Sequence, residues 1–337
     1  MTATRRDFIA YSGSTDCPAV EAVGLTKTFG EVRALDGVDL MIPAGGIYGF
    51  LGPNGAGKTT TIRVLATLLK PDGGNARIFG RDVVKEAEEV RKTVALTGQF
   101  ASVDEDLTGR ENILMLARLR GFSWPAARKR TDTLLETFGL IEAANRQVKT
   151  YSGGMRRRID IAASIVVTPE LLFLDEPTTG LDPRNRLQVW DIVRQMAVSG
   201  TAVLLTTQYL DEADQLASRI AVIDHGRIIA EGTSGQLKAQ VGIGALHLRL
   251  ADQGQRDGAF SFIEEKLKLK VRLKNDDAEF TVRVSTPESA NNLITELGAA
   301  GIAVASFSYG QPSLDEVFLT LTGHPAAATT DTQEVQS

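Results

Sequence analysis

The chain has 337 residues, 43% hydrophobic and 23% charged, with a formal net charge of -5. This is the composition of a globular protein, and its acidic balance argues against a broad nucleic-acid-binding surface, so no nucleic-acid partner is expected. Its single cysteine, Cys17, excludes an intrachain disulfide, and a reducing compartment fits best.

At the start, TRRDFIA (Thr4 to Ala10) resembles a twin-arginine export signal, but YSGSTDCPAVEAVG follows where an apolar segment would be needed. Residues 1–19 are therefore expected to form a flexible segment. From 20 to 235, apolar runs suited to strands alternate with amphipathic helical patterns: IYGFL then KTTTIRVLATLL, ELLFLD then RNRLQVWDIVRQMA, TAVLLTT then LDEADQLA. This alternation predicts an α/β domain around a largely parallel, buried sheet. Between Thr108 and Gln147 the pattern is helical only, predicting a helical insertion over about 100–155. No run reaches the roughly 18 apolar residues of a membrane span; the most apolar region is broken by Pro169 and Glu170, so any membrane role is expected to be peripheral.

Beyond residue 240 the order becomes β-α-β-β-α-β, the pattern of a small α+β, ferredoxin-like domain expected over 240–323. The helix SLDEVFLTLTG is expected to close that domain, and 324–337 is too poor in large apolar residues to fold by itself.

Within the first domain, GPNGAGKTT (Gly52, Pro53, Asn54, Gly55, Ala56, Gly57, Lys58, Thr59, Thr60) fits the phosphate-binding pattern G-x-x-x-x-G-K-[ST]. It lies between an apolar strand and a helix, as that loop requires. Its glycines let backbone N–H groups turn inward around a phosphate, Lys58 would contact the β- and γ-phosphates, and Thr59 would ligate Mg²⁺. Further on, ELLFLDEPTTGLDP delivers Asp175 and Glu176 at the carboxyl end of an apolar strand, where open α/β sheets bind ligands. Asp175 is expected to serve Mg²⁺ and Glu176 to polarise the water that attacks the γ-phosphate, giving phosphoryl transfer to water as the reaction type.

YSGGMRRRIDIAASIV, from Tyr151 onward, places Ser152, Gly153 and Gly154 before a helix that begins with Arg156, Arg157 and Arg158. Cations there oppose the helix dipole by about 0.3 to 1 kcal/mol each. A helix start that faces a phosphate and a solvated basic face with an ordinary serine cap both remain open on this segment alone.

At this point the chain resembles the ATP-binding subunits of ABC transporters: a P-loop NTPase core with a helical insertion, whose signature is usually LSGGQ. YSGGM departs from that wording at both ends. More narrowly, GQFASVDEDLTGRENI, TYSGGMRRRIDIAASIVVTPELLFLDEPTTGLDPR and SLDEVFLTLTG resemble the ATP-binding subunit of daunorubicin/doxorubicin-type exporters of actinobacteria. The resemblance implies that Phe29 stacks on adenine, that Gln99 of the Q-loop reaches the nucleotide and its metal, and that Asp182 belongs to the D-loop. It implies that Ser152, Gly153 and Gly154 contact the γ-phosphate held by a second subunit in a head-to-tail homodimer. It further implies a separate multispanning permease, a location at the cytoplasmic face of the cell membrane, and efflux of an anthracycline-like antibiotic. Phe100, Val103 and Leu107 are candidate contacts for the permease's coupling helix, although Leu107 equally suits packing inside the insertion. In LLTTQYLDEAD, Gln208 stands where the family usually places a switch histidine; an amide can donate and accept hydrogen bonds but cannot take a proton. A soluble, non-transport ABC ATPase acting on ribosomes or DNA is the alternative; such proteins usually carry two ATP-binding units or a long coiled coil, and this chain has neither.

Overall fold

The structure, a computed structural model, describes residues 17–98, 103–240, 244–267, 269, 271–273, 279–284, 286–310 and 313–322. They fall into two compact units. The first draws on 17–48, 55–206 and 225–227, and the second on 49–54, 207–224 and 228–322.

In the first unit, Val20–Phe29 lies between the antiparallel strands Val32–Ile42 and Gly73–Ile78. Val20, Ala22, Leu25, Leu35, Val38 and Leu40 are buried there. The strand Leu171–Asp175 runs parallel to Val94–Thr97 on one side and to Ala202–Thr207 on the other. All five residues of Leu171–Asp175 are buried, as a continuous apolar run between two parallel neighbours should be. The register sets Asp175 opposite Thr206 and thereby fixes the end of the strand that carries both predicted carboxylates.

The expected helical insertion is present. Gly109–Leu119 begins at a capping box in which Thr108 and Glu111 satisfy each other's backbone N–H groups. Trp124–Thr137 begins at a Ser123 cap with Pro125 in its first turn, where proline's missing N–H is harmless.

The second unit contains two apolar clusters. One lies inside a four-stranded antiparallel sheet, in the order Val271–Leu273, Glu279–Arg283, Ala245–Leu250, Val304–Gly310. Leu246, Leu248, Phe280 and Val282 from this sheet pack with Ile263, Leu293 and Leu297 from the helical segments. This is the β-α-β-β-α-β arrangement predicted from the sequence.

The second cluster corrects one expectation. Helix Leu314–Thr322 does not join the ferredoxin-like core: Leu314, Val317 and Phe318 pack with Leu51, Leu210, Ala213, Ile220, Val222 and Leu237. Its i, i+3, i+4 apolar face meets the strand before the phosphate loop and the helix after Gln208. The sequence pattern marks such a face but does not name what covers it.

Candidate functional site

Two glycines set the shape of the phosphate loop. Gly55 and Gly57 have φ of 80° and 110°, left-handed values that strain any residue with a Cβ. Gly57 caps helix Lys58–Leu65 without a side-chain acceptor, and the Thr61 hydroxyl turns back to the Gly57 carbonyl at 2.9 Å. A helix amino terminus entered through glycines is suited to hold a phosphate on backbone N–H groups. Thr59 and Thr60 are half-buried in that first turn. Gly52 belongs to the second unit, where its N–H donates to the Thr207 carbonyl at 3.3 Å; Pro53 and Asn54 follow it there.

Lys58 is 4% exposed, and its Nζ lies 3.1 Å from Glu176 Oε1. Glu176 has φ of 49° and is anchored by its backbone N–H, which donates to the carbonyl and hydroxyl oxygens of Thr206, both at 3.1 Å. A non-glycine residue at positive φ just past a buried strand is strained in a way that sets its side-chain direction. Asp175 takes the other direction: it is 3% exposed, and its Oδ1 accepts from the Thr206 hydroxyl at 2.6 Å. The two adjacent carboxylates thus have separate partners, Glu176 the Lys58 ammonium and the Thr179 hydroxyl, Asp175 the Thr206 hydroxyl.

Thr206 and Arg157 complete this framework, and the sequence reading assigned neither a role. The Arg157 guanidinium donates to the carbonyls of Gly98 at 2.7 Å, Pro177 at 2.9 Å and Asp175 at 3.2 Å. It ties the carboxylate strand to the residue preceding Gln99. Arg156 pairs with Glu105 at 2.9 Å, and Arg158 donates to the Phe138 carbonyl at 3.0 Å. The arginines after the glycine pair therefore have partners inside the chain, and their dipole cost requires no bound anion.

Ser152 caps helix Gly153–Ser164 by accepting from the Met155 N–H at 3.3 Å, so the ordinary serine cap is present. Ser152 and Gly153 are exposed, whereas Gly154 is buried against Asn185, and a Cβ on Gly154 would sit 2.2 Å from Asn185 Cγ. Asn185 in turn donates its backbone N–H to Asp182 at 3.0 Å, and Asp182 caps helix Pro183–Val198. That backbone bond, followed by the Asn185 side-chain amide, holds the Asp182 carboxyl below the usual carboxylate range. Tyr151, the first departure from LSGGQ, is buried and donates its hydroxyl to the Ala143 carbonyl at 2.8 Å. Desolvation raises its pKa, so it remains a neutral donor.

Phe29 ends its strand with the ring 50% exposed, available for stacking. Lys27 Nζ lies 5.7 Å from the ring centre and 2.7 Å from Asp72, which also accepts the Thr28 N–H at 2.7 Å. Gln208 is half-buried in the second unit, between Ala202–Thr207 and helix Leu210–Leu216. Gln99 and Phe100 lie outside the described residues. Val103 is 8% exposed, which corrects its reading as a groove contact: it packs inward. Leu107 is half-buried.

Among the described residues no cluster of three or more His, Cys, Asp or Glu could hold a metal, and no helix is long and apolar enough to cross a membrane. The Thr59 hydroxyl and the Asp175 carboxylate are oxygen donors of the type Mg²⁺ accepts, and Mg²⁺ commonly takes only one or two protein ligands alongside substrate phosphates.

Residues 35–179 match the profile of the ABC transporter family, and 232–322 match the C-terminal domain of DrrA1-3-like ATP-binding proteins. The chain is 59% identical to the daunorubicin/doxorubicin resistance ATP-binding protein DrrA of Streptomyces peucetius, over 91% of this chain and 93% of that one. It is 44% identical to the doxorubicin resistance ATP-binding protein DrrA of Mycobacterium tuberculosis, over 94% and 97%. Among solved structures, an ATP-binding subunit of an ABC transporter matches with TM-score 0.60 at 27% identity, over 66% of this chain and 93% of that one. A dimeric ATP-binding cassette in a post-hydrolysis state with ADP and Pi matches with TM-score 0.59 at 25% identity, over 64% and 98%.

Proposed function

The chain belongs to the ATP-binding proteins of ABC transporters, in the DrrA-like branch, and from that membership we propose that two copies sandwich two Mg²⁺-ATP and drive a separate multispanning permease that expels an anthracycline-like antibiotic. ATP hydrolysis is the activity of this family. The drug, the permease and the position at the cytoplasmic face of the membrane are proposed from the names of the relatives.

The observation that carries the site assignment is the buried Lys58–Glu176 pair beside an Asp175 turned toward Thr206. In the proposed reaction Lys58 leaves Glu176 for the β- and γ-phosphates, supported by the N–H groups of residues 55 to 60. The freed Glu176 accepts a proton as water attacks the γ-phosphorus; the bond to the β-phosphate oxygen breaks, and ADP and phosphate leave. Mg²⁺, when bound, would be held by Thr59, Asp175 and Gln99 and would neutralise phosphate charge. Phe29 stacks on adenine, and Gln208 orients the attacking water through its amide. The exposed Ser152 and Gly153, with Gly154 and Asp182, face the nucleotide of the second copy.

We also propose domain limits of 20–235 and 240–323, which the match over 232–322 supports, the closing helix Leu314–Thr322 being part of the matched segment although it packs outside the ferredoxin-like core. The relatives' names do not favour a soluble ATPase acting on ribosomes or DNA. Glu176→Gln tests the reading: ATP binding should persist, hydrolysis should slow, and size-exclusion chromatography with ATP should show a dimer. Wild-type turnover in that variant would overturn the assignment of the base.

A further inference from the structure

The turn between helices Gly109–Leu119 and Trp124–Thr137 carries a surface that nucleotide chemistry does not use. From Asn112 to Thr131 the sequence has five cations and no carboxylate, within a chain of net charge -5. Arg130 serves the fold, donating to the carbonyls of Ile165 and Val166. Arg118, Arg120, Arg128 and Lys129 are exposed, and among the described residues none pairs with a carboxylate.

Beside them Leu119 is 74% and Trp124 54% exposed. The guanidinium carbons of Arg118 and Arg128 lie 5.0 and 5.9 Å from the centre of the Trp124 ring. The ring face attracts each cation, Arg118 also donates to the Phe122 carbonyl, and among the described residues neither guanidinium forms an ion pair with a carboxylate. A complementary partner is therefore anionic and also accepts an indole and a leucine side chain.

We propose that this surface binds a phospholipid bilayer containing anionic headgroups, with the arginines and Lys129 at the phosphates and Trp124 and Leu119 entering the interface. Tryptophan prefers that depth, and long cationic side chains reach from it to the headgroups. Each cation near an anionic leaflet strengthens binding by about fivefold, falling off with ionic strength. The inference adds a lipid contact to the proposed position at the membrane face. It is independent of the ATP site, so ATP turnover and permease binding succeed or fail separately from it.

The test is sedimentation of the purified full chain with phosphatidylcholine vesicles, with and without phosphatidylglycerol. The wild type should pellet with phosphatidylglycerol vesicles and come off as salt is raised. Combined Arg120→Gln, Arg128→Gln and Lys129→Gln changes should weaken binding about a hundredfold, and Trp124→Ala should weaken it independently of charge. Since these side chains are exposed, ATP turnover and thermal melting should be unchanged. Equal sedimentation with both vesicle types, or variants that bind like the wild type, would overturn the proposal. Variants that bind vesicles normally but no longer co-purify with the permease would assign the surface to an acidic protein partner instead.

Discussion

Lys58 and Glu176 neutralise each other in a position where water reaches neither freely. Removing one partner of such a pair leaves a buried charge and typically costs about 3 to 5 kcal/mol. Lys58→Ala should therefore abolish ATP turnover and also lower the denaturation midpoint, while Lys58→Ala combined with Glu176→Gln should recover much of the lost stability without activity. Denaturant titration of the three variants checks this, and additive losses would contradict the pairing. At Phe29, Asp72 is held below the usual carboxylate range, first by its bond from Lys27 and then by the Thr28 N–H. That clamp is present at neutral pH and lost as acid protonates the carboxylate. Asp72→Asn should raise the KM for ATP and leave kcat near wild type, since it loosens the ring proposed to stack on adenine and touches no phosphate. Gln208→His should add a titrating group near neutrality to the pH profile of turnover; an unchanged profile would return Gln208 to a packing role.

The adjoining glycines of helix Gly153–Ser164 differ in what surrounds them. A Cβ on Gly153 meets nothing within 4 Å, whereas one on Gly154 collides with Asn185. Gly154→Ala should cost about 1 to 3 kcal/mol by forcing Asn185 away from Asp182, and Gly153→Ala should be near neutral in a thermal melt. If Gly153 faces a phosphate in the dimer, its variant should still lose turnover, which separates packing from contact. This contrast was not legible in the sequence, because Asn185 lies on the next helix. What could be read were contiguous devices: the phosphate loop, the carboxylates ending an apolar strand, the strand and helix order of the ferredoxin-like fold. Thr206 and Arg157 escaped notice because their roles depend on partners in distant segments, and Val103 was misplaced because an apolar residue in a polar stretch does not reveal which way it turns.

At the scale of the whole molecule, helix Leu314–Thr322 packs with Leu51 and with apolar residues between Leu210 and Leu237 rather than with the ferredoxin-like core it follows. Phe318 is 2% exposed, and Phe318→Ala should cost about 3 to 5 kcal/mol, read by urea denaturation of the full chain. A chain stopped before Ser313 should expose Leu51, Leu210 and Ile220 and aggregate on expression. This packing also orders events in time. Leu51 leaves the ribosome long before Phe318, and a nascent chain cannot complete the packing around Leu51 until helix Leu314–Thr322 has emerged. The interval before that contact closes is when a chaperone has the most to hold at this cluster.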